Sequence, residues 1–339
     1  MLEEFLKKIV SGQNLTAQEA SLSLAEIFSG SIKEEQIINF LKALTLKGES
    51  VEEILGFVQQ LSSRSVAVNG LQNAVDTCGT GGSGMDRFNI GTTIAFVLAS
   101  GGYPVAKHGN RGSRKPNGSF DLLEALDVNF ELNAAQEAEL FKKMGLAFLF
   151  ARSHHPAMKS VGPARAKLES RSIFNIIGPL CNPANVFYQV VGVSNKDLGE
   201  KLIQVLKLLG RIRAIVVYGE PGIDEFSVSG LSTYWLLNEK GEISCHHIDP
   251  GIIGIQKHEF STVPGGEAKE NKDLFYKVLN GEDCNGLLDM VALNAGAAIH
   301  VLGRSVSIFD GYHTALDLIN SGRSLEFFET YKNMSNQYL

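Results

Sequence analysis

At 339 residues with 44% hydrophobic and 20% charged side chains, the chain can bury a large core and is not a disordered polypeptide. The net charge of −6, with no Lys/Arg block, argues against nucleic acid as a partner and leaves room only for a local basic site for small anions. Four cysteines without CxxC spacing predict reduced thiols in a cytoplasmic protein, and neither a signal peptide nor a membrane-spanning apolar run is expected.

Residues 1 to about 66 read as helices only. Thr16 with Glu19, Ser31 with Glu34 and Ser50 with Glu53 have the spacing of capping boxes, and Gly30 and Gly48 stand where helices stop. Leu22, Ile27, Ile37, Ile38, Leu41 and Leu44 recur at roughly helical spacing, so the segment predicts a small all-helical unit, with an exposed apolar face as a possible dimer surface.

From about residue 73 strands and helices alternate. Val75 leads into Asp76-Thr-Cys-Gly-Thr-Gly-Gly-Ser-Gly84, and an apolar helix follows from Phe88. Glycines remove the Cβ atoms that keep a ligand from the backbone, and the next helix adds its positive N-terminal end, so the loop reads as a phosphate cradle; a ligand-free βα turn is the alternative. The loop fits G-x-G-x-x-G, but the acidic residue a dinucleotide site needs about 20 positions on is missing: the second strand, Pro104–Lys107, ends in a cation. Lys107-His-Gly-Asn-Arg-Gly-Ser113 supplies an ammonium, an amide and a guanidinium, parts for a polyanion or for a merely solvated basic loop. Gly118-Ser119 adds a turn with a hydroxyl.

The run Leu146–Phe150 reads as a buried parallel strand, as do 186–193 and 214–218. Between them lie His154-His155, Arg165 and Arg171-Ser-Ile-Phe-Asn-Ile-Ile-Gly-Pro-Leu180. Arg165 could clamp a carboxylate, and His155 could line a pocket or serve as a core histidine. Asp224-Glu225 follows the strand ending at Tyr218, and two carboxylates there are plausible Mg²⁺ ligands or a solvated turn. A hairpin is expected around 238–241, with His246-His247 structural, and helices at 267–279, 286–302 and 307–320. Neither histidine pair argues for zinc.

Cys-Gly-Thr-Gly-Gly, Lys-His-Gly-Asn-Arg, His-Pro-Ala-Met-Lys and Ile-Phe-Asn-x-x-Gly-Pro-Leu-x-Asn-Pro-Ala together closely resemble the anthranilate phosphoribosyltransferases, over nearly the whole chain. The resemblance implies an α/β protein: a small all-helical domain (1–70, with a returning segment about 158–182) and a larger domain (71–157 and 183–339) with a central mostly parallel sheet flanked by helices. It implies transfer of the phosphoribosyl group of 5-phosphoribosyl 1-diphosphate (PRPP) to anthranilate in tryptophan synthesis, with Mg²⁺ as cofactor and a homodimer through the helical domain. On this reading Gly79, Gly82, Ser83, Arg87, Asn89, Gly91, Thr92, Lys107, Arg114, Lys115 and Ser119 line the PRPP side. Gly79, His108, Asn110, His155 and Arg165 line the anthranilate side, and Asp224 and Glu225 bind Mg²⁺. No residue is assigned as acid or base.

Three places depart from the family pattern: Ser83 for the usual Asp, Gly91 for the usual Ser, and Arg114-Lys115 for paired serines. All fall on the diphosphate and metal side, and the two cations are expected to replace part of the metal's charge. A diverged paralogue, a nucleoside phosphorylase-like enzyme and a non-catalytic binding protein are the competing readings.

Overall fold

The computed structural model describes residues 1–81, 85, 87–112, 115–168 and 171–338. Four helices come first: α1 (Leu2–Val10), α2 (Ala17–Phe28), α3 (Glu34–Lys47) and α4 (Val51–Ser62). Two of the three expected caps form. The Thr16 hydroxyl accepts the Glu19 N–H and the Glu19 carboxylate accepts the Thr16 N–H, and Ser50 and Glu53 exchange the same pair of bonds. The third is displaced: Gly30 turns the chain at φ 75°, Ser31 bonds Ser29, and Gln36 accepts the Lys33 N–H at the start of α3. The buried Glu53 also accepts the Leu15 N–H and meets Lys47, so its charge is paired where burial would otherwise be costly.

Seven strands form one sheet in the order β3-β2-β1-β4-β5-β6-β7. They are β1 (Val75–Gly79), β2 (Val105–Gly109), β3 (Leu146–Phe150), β4 (Tyr188–Gly192), β5 (Arg213–Gly219), β6 (Ser232–Leu237) and β7 (Ile243–Ile248). The first five are parallel, and the β5–β6 and β6–β7 pairs are antiparallel across the expected hairpin. The mostly parallel sheet and the helical unit are as the sequence predicts. Strand order reverses at β1, which has β2 on one side and β4 on the other, and in open α/β sheets ligands sit at the carboxyl ends beside such a switch.

Alternate residues of the central strands enter two cores. Val190, Ile215 and Val217 pack with α5 (Ile90–Ser100) and the helix Leu287–Val301; Val191, Ala214 and Val216 pack with α4 and the helix Asp197–Leu208. The sequence reading misses the helix Arg323–Ser335. Its buried Phe328 and Tyr331 meet Phe96 of α5 at ring-centroid distances of 5.1 and 5.6 Å, and Gly322, at φ 77°, gives a stop signal that hides the restart.

Two crossings join the helical unit to the sheet. At the first, Val66 donates its N–H to the His154 carbonyl, and the His154 ring bonds the Val66 carbonyl and Glu137. At the second, short helical turns at Pro156–Val161, Gly162–Ala166, Ile173–Ile177 and Gly178–Leu180 carry Val161, Ala164, Ile173, Phe174, Ile176 and Ile177 into a core shared with α1–α4. Lys167 pairs with Glu34, and the Thr45 hydroxyl reaches the Arg171 carbonyl. No helix among the described residues is long and apolar enough to cross a membrane.

Candidate active site

The carboxyl ends of β1, β2 and β4 and the segment after β5 converge at the switch point. A Cβ at Gly79 would lie 2.1 Å from Asp224 Oδ2, so glycine there gives the Asp224 carboxylate its place against the loop. There the Asp224 carboxylate accepts the Gly81 N–H at 2.8 Å. An anion therefore already sits against a loop amide, the arrangement a phosphate would need. Gly82, Ser83 and Arg114 lie outside the described residues.

Arg87 is half of a charge cluster that the loop reading does not anticipate. Its Nη1 makes ion pairs with both Asp224 Oδ1 and Glu225 Oε2. Burial would raise Asp224, but Arg87 and the Gly81 N–H outweigh it and hold that carboxyl below its usual range. At Glu225 burial prevails over Arg87 and pushes the carboxyl up to about 7. Arg87 thus does not stand free toward a diphosphate; it is spent on the carboxylate pair.

Lys107 is only 2% exposed, and its ammonium donates to the Thr77 carbonyl. A Cβ at Gly91 would lie 3.0 Å from the Lys107 Nζ, so glycine at this position leaves room for the ammonium. Burial lowers the Lys107 pKa, opposed first by the buried Asp76 on β1. Asp76 accepts the His108 N–H and the Gln189 amide, and Gln189 in turn accepts from Arg211.

Other expected PRPP contacts are partly committed elsewhere. The Asn89 side chain donates to the Asn117 carbonyl and accepts from Asn271, so it works as a brace at the start of α5. Thr92 is buried, and its hydroxyl has no partner among the described residues. Ser119 opens the helix Ser119–Ala125 and is half-buried, and Lys115 is exposed. The Arg111 guanidinium is taken up within the protein: it forks onto Glu124, reaches Asp121 and lies over the Phe130 ring. Asp121, unnoticed in the sequence, accepts the Gly112 and Gly118 amides and closes the loop after β2 on itself.

On the facing side His108 and His155 stack edge to face, with ring centroids 5.1 Å apart. Both are buried; neither His155 ring nitrogen nor His108 Nε2 has a partner among the described residues. Burial pushes His155 down to about 4 and holds His108 well below its ordinary value, so both rings are neutral at pH 7. Asn110 is exposed at the end of the same strand, its side chain accepting the Arg111 N–H. Arg165 lies over the Phe174 ring at 5.2 Å and meets no carboxylate among the described residues, and burial lowers its pKa.

Arg171 links the two sides. It donates to the Thr80 carbonyl, to the Gly81 carbonyl at 2.6 Å and to the Ser194 hydroxyl, which itself donates to Gly81. Nothing local in the sequence marks Arg171, whereas Ser194, just past β4, stands where strand-end position alone gives a signal. Among the described residues no group of three or more His, Cys, Asp or Glu stands where it could hold a metal. His154, His246 and His247 serve the fold: His247 faces Thr233 and His246 stacks on Tyr234.

A helical bundle leading into a switched α/β sheet, with an anion loop, a buried lysine and a carboxylate pair at the switch, defines a glycosyl-transferring class of enzyme. In agreement, residues 3–65 match the model of the "Glycosyl transferase family, helical bundle domain" and residues 71–325 that of the "Glycosyl transferase family, a/b domain". The chain is 42% identical to the anthranilate phosphoribosyltransferase of Lactococcus lactis subsp. cremoris, over 95% of this chain and 96% of that one. It is 40% identical to that of Methanocorpusculum labreanum, over 97% and 96%. Among solved structures it resembles the Thermus thermophilus enzyme (TM-score 0.89, 34% identity, 98% and 99% covered). It also resembles the Saccharomyces cerevisiae enzyme in complex with PRPP and Mg (TM-score 0.90, 25% identity, 99% and 98% covered). The chain belongs to the anthranilate phosphoribosyltransferase family.

Proposed function

We propose that the protein transfers the 5-phosphoribosyl group of PRPP to the amine of anthranilate, releasing pyrophosphate, as a step of tryptophan biosynthesis. One observation carries this reading. A single segment from the helical side supplies Arg171, bonded to the glycine loop, and six residues earlier Arg165, a guanidinium over Phe174 with no carboxylate partner among the described residues. A carboxylate-bearing acceptor held by Arg165 then faces a donor held at the loop.

Bond breaking at the anomeric carbon leaves oxocarbenium character on the ribose and charge on the departing diphosphate. The Gly79–Gly81 backbone, the N-terminus of α5, the Thr92 hydroxyl and the Lys107 ammonium receive that charge, with Gly82, Ser83, Arg114, Lys115 and Ser119 assigned to the same side. Asn110, His108, His155 and Arg165 orient anthranilate. The two neutral imidazoles offer uncharged hydrogen-bonding atoms beside an aromatic amine that needs no strong base. The chain's task is positioning and charge stabilisation.

Asp224 and Glu225 are the residues that would hold Mg²⁺. Their Oδ1 and Oε2 already converge on one cationic nitrogen, a donor set that suits a hard divalent ion with few protein ligands. When bound, the ion supplies Lewis-acid stabilisation of the diphosphate. Residues 1–70 with 158–182 act as one body against the rest. The protein pairs as a homodimer through the helical body, where Leu46 and Val10 are 87% and 71% exposed, and it works in the cytoplasm with its four cysteines free.

The test is the loss of anthranilate fluorescence on addition of PRPP, with and without Mg²⁺. Fluorescence loss coupled to pyrophosphate release supports the reading, and no loss under either condition overturns it.

A further inference from the structure

The Asp224–Glu225 pair is not an open acidic site. Asp224 is fixed from one side by the Gly81 N–H on Oδ2, which leaves Oδ1 for the cation. Glu225 Oε2 meets the same Arg87 nitrogen. The backbone behind Arg87 is clamped: its carbonyl accepts from the buried Asn271, and a Cβ at Gly265 would lie 2.4 Å from its carbonyl carbon, so the strands of loop here touch. The guanidinium Nε is buried without a partner among the described residues. Among the described residues the guanidinium is therefore held by its two carboxylates, on a fixed stem, with one nitrogen at the point where two carboxylate oxygens meet.

We propose, building on the assignment of Asp224 and Glu225 as metal ligands, that Arg87 is an internal counter-cation that competes with the divalent ion for the carboxylate pair. In the ligand-free enzyme the guanidinium neutralises both carboxylates and keeps divalent-ion affinity low. Metal can enter only as Arg87 leaves, and a diphosphate beside the loop offers the departing guanidinium a second bidentate partner. The exchange conserves charge: one guanidinium moves from carboxylate to phosphate oxygens as the metal takes its place. Metal and donor therefore load together, and the free enzyme does not carry metal.

The test is direct binding of Mn²⁺ alone to the substrate-free protein, followed by electron paramagnetic resonance of the unbound ion. Wild type binds weakly. Arg87→Gln tightens binding by about tenfold or more, because removing a cation in contact with two carboxylates restores their net charge. Arg87→Lys, which keeps the charge, stays weak, and adding Asp224→Asn and Glu225→Gln to Arg87→Gln abolishes the gain. Circular dichroism of each variant establishes folding, and Arg87→Met serves if Arg87→Gln does not fold. Equal Mn²⁺ affinity in wild type and folded Arg87→Gln, abolished in both by the carboxylate substitutions, overturns the competition while the metal-site assignment stands. No Mn²⁺ binding by any variant, with or without pyrophosphate, overturns both.

Discussion

Arg171 donates to the Gly81 carbonyl at 2.6 Å, joining a segment that shares its core with the helical unit to the backbone of the glycine loop. The bond makes the loop's shape depend on a side chain that reaches it from 90 residues away in sequence. Arg171→Met leaves the fold intact and loosens the loop, so KM for PRPP rises about tenfold while KM for anthranilate changes little. Steady-state kinetics with each substrate varied in turn check this.

Arg165 gives the opposite split. Arg165→Gln removes the cationic partner expected for the acceptor's carboxylate, and KM for anthranilate rises by about ten- to a hundredfold, the loss of one charge-assisted fork. KM for PRPP stays near wild type. A variant that raised both constants equally would place Arg165 in the fold and not in the acceptor site.

Gly79→Ala tests the contact on which the site is assembled. A methyl group 2.1 Å from Asp224 Oδ2 forces the Asp224 carboxylate out of its place against the loop. Overpacking of this kind costs about 1–3 kcal/mol, seen as a lower Tm, and displaces the carboxylate pair from the diphosphate side. Activity then falls more steeply than stability, measured as kcat/KM at a temperature where circular dichroism reports a folded protein.

His155 sets a pH dependence of stability. Its folded pKa, about 4, lies below the 6.5 of an exposed imidazole because the ring is buried. As pH falls through 6.5 the unfolded chain takes a proton that the folded chain refuses, so stability drops until about pH 4 and the penalty is absent above 6.5. At pH 5.5 the contribution is about 1.4 kcal/mol. Urea midpoints at pH 7.5 and 5.5 measure it, and His155→Phe shrinks the difference between them.

Much of this architecture is legible in the chain because its signals are local. Thr16 with Glu19 announces a helix start within four residues, Leu146–Phe150 carries its burial in its own composition, and four glycines after Val75 state that backbone must approach something closely. What escapes is long-range. Nothing near Arg87 says that it faces Asp224 and Glu225 in the far half of the chain, and nothing near Arg171 says that it bonds Gly81. Arg111 looks free in the sequence and is bound to Glu124, a pairing that a turn of helix supplies only once Ser119–Ala125 has formed. The helix at 323–335 is missed for a different reason: Gly322 ends one helix and begins the next, and a stop signal carries no mark of restart.

The clamp between Val66 and His154 ties three stretches of chain at one point: Val66 gives its N–H to the His154 carbonyl, its own carbonyl meets the His154 ring, and the far side of that ring meets Glu137. Taking away the imidazole would strip the buried Glu137 carboxylate of that partner as well as loosening Val66, so a single substitution there unfastens two elements at once.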